Sequence, residues 1–449
     1  MNIDPETRRE SLKPLLENLD EAALGLDLRK TDEDQDLPHE LPIGKLRRGG
    51  RRRPPYDRIG MITLTELDGI LQWEEGTGVV SMAGRRLRRG ISIPAPSGEI
   101  VAQYKFEKLP PSEVGRFLEK LDAKLTPTPG LRRLDAEGAL KPAKPPGGGS
   151  KKRKTLLLVH GTFSNNDHLI EELNSTGAGR DFIGCILEHY DDVFAFDHST
   201  LSVSPVLNAL DLARLFAEFK APIDVICHSR GGLVVRWWLE AFGGAGGATR
   251  RVVLVGAPLG GTSLASPPRL RAALGLITNV GRALSLAGGA ASLAVPMLSV
   301  AVGLVKVVTS IASLGEKAPL IDAAVAMIPG LAGQSRVGNS AELLRLRQRT
   351  NSPLPDYYAV CCNFETEDAG WAFWRRFRKM NLADFGTDMV FDGQNDLVVD
   401  TRSMTDLFDD MVIPQANILD FGTTGRVHHT NYFQQPETID FIKKSLAIK

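Results

Sequence analysis

At 449 residues the chain exceeds the usual size of one compact core, which predicts one large catalytic domain carrying a smaller appendage. Lys plus Arg and Asp plus Glu each number 54, and this balance argues against a general nucleic-acid binder, so no nucleic-acid partner is expected. The four cysteines, Cys185, Cys227, Cys361 and Cys362, show neither metal-ligand spacing nor a disulfide framework, which suits a reducing compartment.

Residues 1–58 are charged, proline-containing and poor in aromatic side chains, ending in a basic run at 45–53; this composition predicts a mobile, disordered tail. Residues 1–20 lack the apolar core of a secretory signal, so cytoplasmic residence is the expectation. From Gly60 to Phe106 short apolar stretches alternate with glycine turns and read as a few strands of a small sheet. A helix is predicted over 112–125, with Ser112 as its cap and Val114, Phe117, Leu118 and Leu121 on one side. Residues 59–126 thus form a small α+β appendage. The proline, glycine and lysine of 127–154 read as a linker to a catalytic domain over 155–449.

Beyond the linker, strands at 155–159, 192–196, 223–226, 251–255, 357–361 and 417–421 alternate with helices, the pattern of a mostly parallel sheet covered on both faces. Active sites in such sheets lie at the carboxyl ends of strands, and residues with catalytic chemistry recur there. Ser229 lies between the strand 223–226 and an apolar helix beginning near Leu233, the context of a nucleophile elbow. Gly231 and Gly232 on its helix side allow strand and helix to approach, His228 precedes it, and Cys227 stands where a first glycine is common. An ordinary serine at a strand-to-helix turn is the alternative.

After the strand 155–159 comes His160-Gly161-Thr162, a turn that either aims the Thr162 N–H into the site or merely ends the strand. With the N–H of Arg230 it supplies two candidate donors for an oxyanion. A serine hydroxyl needs a base and a carboxylate to orient that base. Asp396 is the first choice of acid, because the apolar 397–399 run fixes it, while Asp392 beside Gly393 reads as turn chemistry and Asp400 is next in line. His428 and His429 are the candidate bases, with His429 favoured because Tyr432 and Phe433 follow at the offset where a terminal helix packs beneath it.

In these features the chain resembles the α/β-hydrolase superfamily, in its bacterial lipase and esterase branch, from about Leu156 to Leu446. The resemblance rests on the His160-Gly161 turn, the elbow at 228–232, the run 256–262 after the next strand, the loop 395–399 and His429. It implies an α/β-hydrolase fold and hydrolysis of carboxylic esters through an acyl-enzyme, without an organic cofactor or metal, by Ser229, His429 and Asp396. Leu397, where a glycine is common, and the doubled histidine depart from the pattern.

Residues 267–334 form an insertion, and from Ala283 to Val305 no charged residue occurs. Pro296 and the small-residue content argue against a transmembrane helix, leaving an apolar helical cap or plain core helices. In the cap reading Met297, Leu298, Leu304 and Val305 line an acyl pocket, and the cap makes transient contact with a membrane surface. The functional expectation is a serine hydrolase of lipid or other acyl esters. A phospholipase or inositol-deacylase-like enzyme is a close variant, and a catalytically silent hydrolase fold that binds lipid or a protein partner is the alternative of another class.

Overall fold

The computed structural model describes residues 5–31, 59–67, 69–76, 98–144, 153–244, 249–265, 270–286, 291–312, 328–336, 338, 340–348, 354–367, 374 and 393–448. Two compact units divide the described residues, one drawn from Met1–Val114, Arg271–Ala324 and Gly370–Asp384, the other from Gly115–Leu270, Val325–Ala369 and Phe385–Lys449.

The first unit begins with helix α1 (Pro5–Leu24) and strand β1 (Leu28–Lys30), followed by β2 (Ile59–Leu67), β3 (Ile70–Gly76) and β4 (Glu99–Glu107). The strands form an antiparallel sheet in the order β1-β4-β2-β3. Helix α1 lies where the sequence predicts a mobile tail. Its Leu12, Leu15, Leu19 and Ala23 recur at helical spacing and are buried, an apolar stripe that the surrounding charge conceals in a composition count. Residues 32–58 lie outside the described residues. Helix α2 (Pro111–Leu125) buries Val114, Leu118 and Leu121 as its periodicity predicts.

The second unit contains β5 (Gly130–Leu134), β6 (Leu140–Pro142), β7 (Thr155–Val159), α3 (Asn166–Asn174), α4 (Gly177–His189), β8 (Asp192–Asp197), α5 (Pro205–Leu215), β9 (Ile223–His228), α6 (Gly231–Arg236) and β10 (Thr249–Val255). Helices α7 (Leu270–Leu286) and α8 (Ala291–Ala312) then belong to the first unit. The chain returns to the second through β11 (Asp356–Phe364), the small hairpin β12 (Asp406–Phe408) and β13 (Met411–Val412), β14 (Ile418–Thr424) and the helix Pro436–Ser445.

Eight strands make one sheet in the order β14-β11-β10-β9-β7-β8-β5-β6. From β14 to β8 neighbouring strands are parallel, and β5 and β6 add an antiparallel edge. Strand β7 pairs with β8 on one side and β9 on the other, so the chain reverses its direction of progress across the sheet at β7. This is the α/β-hydrolase fold. Its edge corrects the expected linker: β5 and β6 lie within 127–154, and Leu131, Leu134 and Leu140 are buried among the polar residues that made the segment read as a connection.

Successive strand residues point to opposite faces, and the core follows that alternation. Leu157, Val159, Val225, Cys227, Val252 and Leu254 pack on one face, while Leu156, Leu158, Ile226, Val253 and Val255 pack on the other. Burial of each such aliphatic side chain stabilises the fold by about 1.5–3 kcal/mol, which holds the carboxyl ends of β7, β9 and β10 in fixed register.

Of the expected insertion, the described residues 271–286 and 291–312 lie in the first unit and 328–334 in the second. Helix α8 packs on α1 and β2, and its Leu298, Leu304 and Val305 are buried there. These side chains pack within their own unit's core; the Met297 side chain lies outside the described ones. Among the described residues no helix is long and apolar enough to cross a membrane.

Candidate active site

Strand β9 delivers Ser229 into a tight turn before α6. Ser229 has φ 52°, in the left-handed region that costs a non-glycine residue about 1–3 kcal/mol. The turn is held by its own backbone: the Ser229 N–H donates to the Val255 carbonyl at 2.8 Å, and the Gly232 N–H to the Ser229 carbonyl at 2.9 Å. Three glycines are required by space. A Cβ on Gly161 would lie 2.7 Å from Ser229 Cβ, one on Gly231 would lie 2.6 Å from the Val159 carbonyl oxygen, and one on Gly232 would lie 2.6 Å from Ala257 Cβ. Cys227 needs no such room: it is a buried strand residue whose thiol donates to the Val253 carbonyl at 3.5 Å.

The acid loop after β11 brings Asp396 to His429. Asp396 Oδ2 accepts the His429 Nδ1–H at 2.8 Å, while Oδ1 accepts the N–H groups of Val398 at 3.1 Å and Val399 at 2.8 Å. Both residues are buried, and the His429 N–H also donates to the Asp396 carbonyl at 3.0 Å. Leu397 adopts φ 86° with its side chain buried, so the loop takes a left-handed turn without the glycine the pattern favours. Asn395 Oδ1 accepts the Leu397 N–H at 3.0 Å and holds that turn closed.

His429 also lies against the elbow. Its ring centroid is 4.9 Å from that of His228, whose Nε2–H donates to the His429 carbonyl at 2.9 Å. Burial pushes His228 down to about 3, so it serves as a neutral donor. Gly256, after the end of β10, leaves space for the His429 ring: a Cβ there would lie 3.3 Å from that ring and 2.9 Å from Tyr432. His429 Nε2 makes no hydrogen bond among the described residues.

The turn after β7 sits beside the elbow because β7 and β9 are neighbours, with Val159 opposite Cys227. The N–H groups of Thr162 and Arg230 have no acceptor among the described residues. Thr162 Oγ1 donates to Gln334 Oε1 at 3.0 Å, and Phe163, at φ 60°, donates its N–H to Thr200 Oγ1 at 3.4 Å. Asp122 secures Thr200 in turn, accepting the N–H groups of Thr200 at 2.8 Å, Leu201 at 3.0 Å and Ser202 at 2.7 Å. His160 supports the same region through its ring: Nδ1–H donates to the Gly161 carbonyl at 2.9 Å and Nε2 accepts the His198 N–H at 3.0 Å. Burial lowers its basicity, and both ring nitrogens are occupied.

The remaining candidates are committed elsewhere. His428 Nδ1 accepts from Thr430, and burial pushes that ring down to about 4. Asp400 Oδ2 accepts from Ser263 Oγ at 2.8 Å and from Arg336 at 3.1 Å, and Asp400 lines a cleft of about 800 Å³ with Gly260 and Ser403. Asp392 lies outside the described residues. The Arg230 guanidinium is buried and donates to the Val203 carbonyl at 2.6 Å and to Asn208 Oδ1 at 2.8 Å, tying the elbow to the start of α5. Asp122, Thr200 and Gln334 carry no local sequence signal, because each meets its partner across a long separation in the chain.

No curated protein matches the sequence significantly. Similar solved structures include the mature lipase BlEst2 of Bacillus licheniformis, 16% identical, covering 72% of this chain and 100% of that one with a TM-score of 0.36. Lipase 1 of Pelosinus fermentans is 13% identical, covering 64% and 98% with a TM-score of 0.36. Carboxylesterase CesB of Bacillus subtilis is 13% identical, covering 75% and 98% with a TM-score of 0.28. A family model described as a domain of unknown function, DUF7379, matches residues 132–447, more than half of the sequence, and the chain belongs to that family.

Proposed function

We propose that the chain is a serine carboxylic-ester hydrolase acting on lipid or other acyl esters. The observation that carries this reading is the left-handed Ser229 in the turn after β9, with His429, which Asp396 orients through Nδ1, lying against the adjacent His228. In the proposed reaction Ser229 Oγ attacks the ester carbonyl carbon while His429 Nε2 takes the hydroxyl proton. The Thr162 and Arg230 N–H groups donate to the oxyanion, an interaction worth about 2.7–4 kcal/mol per donor in related chemistry. The intermediate collapses by breaking the bond to the alkoxy oxygen, and His429 returns the proton to the departing alcohol. Water, deprotonated by His429, then attacks the acyl carbon; the bond from that carbon to Ser229 Oγ breaks, His429 returns the proton to Oγ, and the acid is released.

Ser229 Oγ and His429 Nε2 are not hydrogen-bonded to each other in the structure, and contacts of this kind tighten when substrate seats. Phospholipase or inositol-deacylase-like activity is a variant of the same chemistry, differing in the alcohol released. A silent fold that binds lipid or a protein is disfavoured by the specificity of the Asp396–His429 arrangement, which packing alone does not require. Hydrolysis of a series of short- to long-chain esters, with and without a lipid interface, tests the reading. Turnover that disappears in Ser229→Ala supports it; a folded wild-type protein inert across the series contradicts it.

A further inference from the structure

Asp396 Oδ2 is shared. Besides the His429 Nδ1–H at 2.8 Å, the Tyr432 hydroxyl lies 3.0 Å from the same oxygen. Two sulfur atoms compete for that hydroxyl, Cys362 Sγ at 3.2 Å and Met404 Sδ at 3.7 Å. One proton is available, and the carboxylate is the strongest acceptor of the three. The Cys362 thiol has its own outlet, donating to the Val427 carbonyl at 3.3 Å.

Tyr432 is fully buried, and its ring is fixed by Gly256, where a Cβ would lie 2.9 Å away. A phenylalanine would fill the same volume without desolvating a hydroxyl, so packing does not account for a tyrosine here. Burial, followed by the negative charge of Asp396, holds the phenol well above its usual range and keeps it a neutral donor. The hydroxyl approaches from the short 432–434 turn, and the backbone N–H groups of Val398 and Val399 approach Oδ1 from the acid loop. These donors and His429 together restrict rotation of the carboxyl about its last bond.

We propose that Tyr432 is a positioning residue that sets the aim of the Asp396 carboxylate and divides its charge between the phenol and His429. The consequence for turnover rests on the ester-hydrolase reading. The effect on the His429 hydrogen bond does not. Removing the hydroxyl leaves Oδ2 to His429 alone, concentrates charge on that bond and loosens the angular restraint on the carboxyl.

The test uses the full chain in two forms, Tyr432→Phe and 3-fluorotyrosine incorporated at position 432, whose ring fluorine makes the phenol a stronger donor. Proton NMR at fixed pH follows the downfield His429 Nδ1–H resonance, assigned by its loss in Asp396→Ala. The resonance moves downfield in Tyr432→Phe and upfield with fluorotyrosine. In the ester assay Tyr432→Phe lowers kcat about tenfold, the value of one hydrogen bond to a charged group, with KM within about twofold. An unmoved resonance in both folded forms, or displacement in the same direction in both, overturns the proposal and leaves Tyr432 a packing residue. Should Tyr432→Phe fail to fold, the fluorotyrosine form decides alone through the direction of its shift. Should wild type hydrolyse no ester, the functional reading fails while the resonance still decides the role of Tyr432.

Discussion

Replacing Asp396 with asparagine retains size and shape and reverses one hydrogen bond. The Val398 and Val399 N–H groups, at 3.1 and 2.8 Å from Oδ1, claim the amide oxygen, because a carboxamide NH2 there would face two donors. The NH2 group is therefore directed at His429 Nδ1, which must become an acceptor. Its proton moves to Nε2, the nitrogen that accepts the Ser229 proton in the proposed reaction, so that reaction loses its base while the fold survives. Loss of a correctly oriented tautomer costs about 10⁴-fold in kcat in serine hydrolases, equivalent to about 5.5 kcal/mol. The second NH2 hydrogen is donated to the Tyr432 oxygen, 3.0 Å from the Oδ2 position, while the phenol turns its own proton to Cys362 Sγ at 3.2 Å, so the exchange of a charge-assisted hydrogen bond for weaker ones costs only about 1 kcal/mol of stability. Steady-state hydrolysis of a chromogenic ester and thermal unfolding, measured on the same preparation, check both figures. Activity within tenfold of wild type, in a variant that unfolds cooperatively, would refute the tautomer argument.

Two further outcomes follow from contacts around the site. Gly161→Ala places a Cβ 2.7 Å from Ser229 Cβ, so ester turnover falls by more than 10²-fold while overpacking costs only about 1–3 kcal/mol in unfolding experiments; unaltered turnover contradicts the assigned closeness of the two turns. Glu172 on α3 accepts the Phe433 N–H at 3.0 Å and is pushed by burial from 4.5 up to about 8. Between these values the folded chain retains a proton that the unfolded chain has released, so the contribution of Glu172 makes stability fall as pH rises, levelling above about 8. Glu172→Gln removes that contribution. Its stability relative to wild type is expected to improve from pH 4 to pH 9 in denaturant titrations, and a pH-independent difference contradicts the assignment.

The centre of the parallel sheet was legible because β7, β8 and β9 are buried on both faces and read as near-continuous apolar runs, while the exposed edge strand β14 shows only a short apolar stretch. The expected strand at 155–159 coincides with β7, and those at 192–196, 251–255, 357–361 and 417–421 fall on β8, β10, β11 and β14. The antiparallel edge was not legible. Arg132, Arg133 and Lys141 interrupt β5 and β6, and Arg132 is buried against Asp197 at 2.9 Å, a pairing that composition cannot reveal. Helix α1 was missed for a related reason, since its leucine stripe is narrow and flanked by charge. Chain order identified Ser229, Asp396 and the two histidines as candidates. Choosing between His428 and His429 depends on which ring the turn directs toward Asp396, which is a property of backbone geometry. Likewise, Gln334 on Thr162 is a contact made only after the sheet has formed.

In the proposed reaction Ser229 is an activated nucleophile whose base is His429. A fluorophosphonate probe followed by peptide mass spectrometry tests it most directly on wild type, Ser229→Ala and His429→Ala. One adduct is expected, on Ser229, absent from Ser229→Ala and formed at least about 10²-fold more slowly in His429→Ala. An unlabelled wild type that is demonstrably folded, or labelling of Ser229 that is equally fast without His429, would contradict it.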